Sequence, residues 1–143
     1  MRKIEKVLYS YKDKKYLIHD YNIQIEMIKN DLGDIRGISY EEKSTPTNKF
    51  NSSVENEIVK KDKIIYEIEN EKQHLQLHVN RIDNMLKILS DEEREIIELR
   101  YFEKLKFNQI ADRLDRNEIA LISKNTNILN RLEKFYYKNI MKI

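Results

Sequence analysis

Residues 89–132 read LSDEEREIIELRYFEKLKFNQIADRLDRNEIALISKNTNILNRL, and the spacing of their apolar and polar side chains decides the fold. Ser90 with Glu93 three positions later is a capping box, in which the hydroxyl accepts from the N3 amide and the carboxylate reaches back to the cap amide. Asp91, Glu92 and Glu93 then fill the first turn, where the helix dipole favours negative charge. Ile96, Ile97, Leu99 and Phe102 recur at helical spacing, and Leu105 and Phe107 bring that helix to a close near Glu103. Phe107, Ile110, Ala111 and Leu114 predict a second, short helix, whose small Ala111 lets a neighbour cross closely. Asp115, Arg116, Asn117 and Glu118 form the turn. Asp115 tolerates turn geometry less well than Gly but better than most other residues. A long amphipathic segment follows with Leu121, Ile128, Leu129 and Leu132 inward.

Outward from this stretch the chain stays helical. Its 143 residues contain only two Gly and one Pro, so little interrupts long helices and an all-α fold is expected. Residues 1–32 carry a seven-residue apolar repeat: Ile4, Tyr11, Ile18, Ile25 and Leu32 at one position, Val7, Tyr21 and Ile28 at the other, with Lys14 breaking it. A second repeat runs through Ile58, Ile65, Val79 and Leu86, with Ile68, Leu75, Ile82 and Leu89 alongside, interrupted by Lys61 and Lys72. Gly33 and Gly37 are expected to end the first helix, and Ser52 with Glu55 to start the second as another capping box. Between them DIRGISYEEKSTPTNKFNS reads as a loop at about 33–52 that contains Pro46.

A helix of about 35 residues spans roughly 50 Å, and neither seam can stay exposed along such a length. The expected arrangement is a long antiparallel, coiled-coil-like hairpin over residues 1–89, followed by a small domain over 90–143. Pairing in trans between two chains competes with it. Ile64, Tyr66, Leu77, Met85 and Ile88 lie off the seam and suggest a second buried face on the later helix, which favours a homodimer.

Charged residues make up 36% of the chain against 40% hydrophobic, so the core is expected to be thin. Cysteine is absent, which removes disulfides and thiolate metal sites. No apolar run approaches the length of a membrane helix and no signal-peptide pattern follows the N-terminus, so no membrane partner and a cytoplasmic location are expected. The net charge of +2 advertises no polyanion. From Ile119 onward, however, Lys124, Arg131, Lys134, Lys138 and Lys142 face only Glu133, so that end is basic.

In its pattern, 89–132 resembles region 4 of sigma factors of the sigma-70 type, which binds the promoter −35 element through a helix-turn-helix. The carrying features are the capped helix L-S-x-E-E-R-x-I-I-x-L-R, the F-x-x-I-A-x-x-L helix and a terminal L-x-x-L. With its long helical N-terminal half and the ISYEEKSTPTNKFNSSVENEI segment, the whole chain is similar to small phage and prophage transcription regulators of the ArpU and RinA type. The resemblance implies double-stranded DNA as partner and a contact with RNA polymerase. The base-reading positions, where Arg, Glu and Gln in that order are usual, fall on Glu118, Ile119 and Ser123, and none of the three matches its counterpart. What the resemblance leaves for DNA is Arg113, Arg116, Lys124 and Arg131 for phosphates, with Asn117, Ser123, Asn127 and Thr126 for base edges or backbone. Of these, Lys124, Asn127 and Arg131 are expected to matter most.

Other chemistry is not expected. His74 and His78 stand four apart with Glu71 one turn earlier, a spacing that suits a metal but lacks a further ligand, since His19 belongs to the other helix. Tyr9, Tyr11, Tyr16, Tyr21 and the Tyr136–Tyr137 pair suit core edges better than base stacking. There is no Gly-rich phosphate loop and no Ser/His/Asp or Cys/His arrangement, so neither an enzyme nor a cofactor is expected. A second reading treats the chain as a helical scaffold whose terminal unit meets a protein through Glu118, Ile119, Ala120 and Ile122.

Overall fold

The computed structural model describes residues 1–30 and 47–140, with side chains over 1–30 and 55–138. The fold is all-α. Among the described residues there are six α-helices and no strand: α1 (Lys3–Tyr9), α2 (Tyr11–Lys29), α3 (Thr47–Leu86), α4 (Asp91–Ile97), α5 (Phe107–Leu114) and α6 (Glu118–Ile140). A π-helical turn over Glu98–Phe102 extends α4. No helix among the described residues is long and apolar enough to cross a membrane.

The N-terminal repeat is one periodic pattern but two helices. Ser10 separates α1 from α2, its hydroxyl donating to the Val7 carbonyl at 2.7 Å. That local bond competes with the helical ladder, a habit of serine that loosens a turn. Gly33, Gly37 and Pro46 lie outside the described residues. The capping box expected at Ser52 does not start a helix: α3 begins at Thr47, which also shortens the loop drawn over 33–52. Once an upstream turn has formed, the amides that Ser52 would have capped already have carbonyl partners four residues back, so the motif has nothing left to satisfy.

Two compact units divide the chain, and the division does not fall at residue 90: one unit comprises Met1–Lys15 with Leu77–Ile143, the other Tyr16–Gln76. In the first, α1 packs on the π-helical turn and on α6, while α4 and α5 also pack on α6. Ile4, Leu8, Ile82, Met85, Ile96, Ile97, Ile110, Ile128 and Leu132 are fully buried there. At about 25 cal/mol per Å² of apolar surface removed from water, these side chains dominate the stability of the unit. Its start is therefore set by the seam residue Ile4 and by Leu8, which is buried where the repeat had placed its neighbour Val7.

Aromatic residues tie the early helices into the same core. Tyr11 stacks on Phe102 with ring centroids 4.5 Å apart and donates to the Asp83 carboxylate. Tyr101 is fully buried, edge-on to Tyr9 at 4.9 Å. Its hydroxyl donates to Glu5 Oε2 at 3.1 Å and accepts from Asn125 Nδ2 at 2.9 Å. Burial, above all, pushes both phenols above their ordinary value. Arg81 lies over the Tyr136 ring at 3.6 Å. Tyr9, Tyr11 and Tyr136 pack, as their positions led one to expect, whereas Tyr16, read with them, is exposed.

In the second unit Ile25 and Ile28 are buried, and Ile18, Tyr21, Ile65, Ile68 and Leu75 are half-buried. Lys72 on α3 donates to Asn22 on α2 at 3.0 Å. Ile58, expected on the seam, is exposed, as are Val59 and Tyr66. Of the off-seam residues expected to form a second buried face, Met85 is buried, whereas Ile64, Tyr66, Leu77 and Ile88 are exposed within the single chain.

Candidate nucleic-acid interface

The region singled out by sequence is built from α4, α5 and α6, and each part has a local cause. Ser90 caps α4: its hydroxyl accepts from the Glu93 amide at 3.3 Å, and the Glu93 carboxylate accepts from the Ser90 amide at 2.9 Å. This reciprocal pair is the capping box read from the sequence. At the start of α5, Gln109 Oε1 takes the Lys106 amide at 2.8 Å. At its end Asp115 adopts the left-handed conformation, with φ 52° and ψ 51°, and Arg116 N bonds back to the Ala111 carbonyl at 3.0 Å. An aspartate visits that region at lower cost than most residues, which is why the turn closes without glycine.

Asn117 caps the following helix. Its Oδ1 accepts from the Ala120 amide at 3.1 Å, so half of this candidate base-reading side chain is engaged in holding α6. The inward stripe of α6 is Leu121, Asn125, Ile128, Leu129, Leu132 and Tyr136, all buried. Asn125 is the surprise: its Nδ2 serves Tyr101, while its Oδ1 is buried without a partner among the described residues. The position was legible, because 125 falls four after Leu121 and three before Ile128 on the inward face.

On the outward face Ile119, Ser123, Thr126, Asn127 and Asn130 are exposed. Thr126 folds its hydroxyl onto the Ile122 carbonyl at 3.1 Å, which turns it from solvent toward its own backbone. Arg113, Ser123 and Asn127 carry no side-chain hydrogen bond or ion pair among the described residues. Asn127 is thus the candidate whose amide is fully available.

The other three cations are not free, a feature that sequence reasoning missed. Glu92 forms ion pairs with Arg116, 2.9 Å from one carboxylate oxygen, and with Lys124, 3.3 Å from the other. Glu93 pairs with Arg131, whose second nitrogen reaches the Ile88 carbonyl at 3.3 Å. The Ser90 amide, and after it Arg131, holds the Glu93 carboxyl below the usual carboxylate range. The acidic first turn of α4, read as dipole compensation, is also the counter-charge of α6. Only folding shows it, because these partners lie in different elements of the chain.

No set of three or more potential metal-ligating side chains gathers among the described residues. A family model described as "Protein of unknown function (DUF722)" matches residues 2–134. The chain belongs to this family. The match takes in α1 through α5 and all but the end of α6, so the α4–α6 region and the N-terminal helices fall together within it. No curated protein and no solved structure matches the chain.

Proposed function

We propose that this chain is a transcription regulator of the phage type that binds duplex promoter DNA, with α5 as the supporting helix of a helix-turn-helix and α6 as the reading helix. One observation carries the reading. Ile119, Ser123 and Asn127 form an uncharged exposed stripe on α6, and along one side of it, toward α4, stand Lys124 and Arg131 of the same helix with Arg116 just before it. Cations that meet phosphates beside amide and apolar groups that meet base edges are what a major-groove reader requires. Asn127 suits adenine, whose N6 and N7 it can engage bidentately, and Ile119 suits the thymine methyl group.

The remaining parts of the reading follow from it. Few cations give little counterion release, and a homodimer on adjacent half-sites compensates through effective concentration. The exposed apolar residues Val59, Tyr66 and Leu77 support pairing of chains through the long helices. The Lys72–Asn22 bond supports pairing of α2 with α3 within one chain. A DNA-bound regulator acts in the cytoplasm and has RNA polymerase within reach as a further partner.

Fluorescence anisotropy with labelled promoter duplex tests this. Affinity is expected to fall steeply with salt, and Lys124→Ala to weaken binding and reduce the slope of log K against log salt by about 1. Absence of binding at low salt refutes it. A specific observation favours one competitor: Ile119 is 78% exposed and Ile122 is 42% exposed on the first turns of α6, an apolar pair that also suits a protein surface. Replacement of both by serine separates the two, since it would leave the salt slope for DNA intact and abolish capture of a protein partner.

A further inference from the structure

Arg116 and Lys124 come from different elements, the turn after α5 and the second turn of α6, yet both point at one carboxylate. Arg116 Nη2 lies 2.9 Å from Glu92 Oε1 and Lys124 Nζ lies 3.3 Å from Glu92 Oε2. A planar guanidinium and a compact ammonium that share two oxygens of one anion form a clamp. The two non-bridging oxygens of a phosphodiester present the same pair of acceptors that Glu92 now presents.

The two glutamates of α4 differ in how firmly they are held. The side chain of Glu93 is only 15% exposed, and it is anchored by the Ser90 amide as well as by Arg131. Glu92 is 41% exposed, its partners Arg116 and Lys124 are 56% and 40% exposed, and neither pair is backed by a further bond from the Glu92 carboxylate. Exposed ion pairs of this kind exchange at little cost, because water screens them. Glu93 is built to stay and Glu92 to be displaced.

We infer that Arg116 and Lys124 form a single clamp for one phosphate of the DNA backbone, and that Glu92 is the internal ligand which that phosphate displaces. The inference rests on the duplex-DNA reading above and adds a negative determinant to it. In the free protein Glu92 keeps the clamp assembled. In the complex it faces a phosphate at close range and lowers affinity.

The test is a set of four proteins: wild type, Glu92→Gln, the pair Arg116→Ala with Lys124→Ala, and all three together. Each is titrated into labelled duplex at several salt concentrations. Glu92→Gln is expected to tighten binding about three- to tenfold at low salt where the clamp is intact. In the clamp-less background it is expected to change nothing. Equal tightening in both backgrounds would mean that Glu92 acts by general repulsion, and overturns the clamp.

A second measurement keeps the inference separable from the DNA reading. Inorganic pyrophosphate is titrated while the side-chain NMR signals of Arg116 and Lys124 are followed. Both signals are expected to move on one isotherm, at lower concentration in Glu92→Gln. Movement without duplex binding at low salt would leave the clamp standing as a phosphate site and remove the DNA reading. Two unmoved signals overturn the clamp whatever the duplex does.

Discussion

Replacement of Leu8 by alanine asks whether the first helix belongs to the same cooperative unit as the C-terminal helices. Leu8 is fully buried, and α1 packs on the π-helical turn and on α6. Loss of three side-chain carbons from a fully buried site removes about 2.4 kcal/mol of transfer free energy at about 0.8 kcal/mol per carbon. A residual cavity adds to this, and Leu→Ala changes in cores span about 2–5 kcal/mol. Because α1 is a single short helix hinged at Ser10, it can settle partly into the space, so the lower half of that range, about 2–3.5 kcal/mol, is expected. Urea unfolding measures it, followed through the side-chain NMR signal of Tyr101, which separates this buried ring from the other eight tyrosines. In a unit of this size the midpoint temperature should fall by about 10–20 °C. If residues 90–143 instead formed a domain of their own, Tyr101 would report an unchanged midpoint. A change below about 0.5 kcal/mol on that probe would refute the placement of α1 in this core.

Three further outcomes are expected. Tyr101→Phe removes the bonds to Glu5 and Asn125 and leaves the whole Asn125 amide buried without a partner, at a cost of about 1–3 kcal/mol by urea denaturation. The Tyr101 and Tyr11 phenols bind their protons more tightly folded than unfolded. The stability this contributes is complete below pH of about 10 and declines as pH rises above it, approaching about 1.4 kcal/mol per pH unit for Tyr101. Unfolding midpoints measured from pH 8 upward, with Tyr101→Phe as control, check the sign, and a rise would contradict it. Ser90→Ala removes the cap of α4 and should destabilise the first unit by about 1 kcal/mol in thermal unfolding.

Much of the fold was written locally. The capping box at Ser90, the close of the following helix at Glu103, the short helix around Ile110 and Ala111, and the turn at Asp115 depend on residues within a few positions of one another. Propensity and hydrogen bonding inside one turn decide such features. The same logic failed at Ser52, where an identical local motif is overruled because a helix already reaches it from Thr47. A cap signal states what a helix end would satisfy, and says nothing about whether an end is there. The inward face of α6 was also legible, Asn125 included, since period alone assigns it.

Sequence alone therefore determined an all-α chain, the three α-helices between residues 90 and 140 and the apolar inward residues Leu121, Ile128, Leu129 and Leu132 of α6. Tertiary structure decided what those elements meet. The Tyr101–Glu5 bond spans 96 positions, and periodicity cannot record which distant seam residue covers which helix. That is why residues 1–15 join the first unit although their heptads read as part of an arm. It is also why three of the four cations proposed for phosphate, Arg116, Lys124 and Arg131, proved to be held by Glu92 and Glu93. Each charge is visible in the sequence, but an ion pair between α4 and α6 depends on the angle at which two helices cross, and buried apolar area sets that angle.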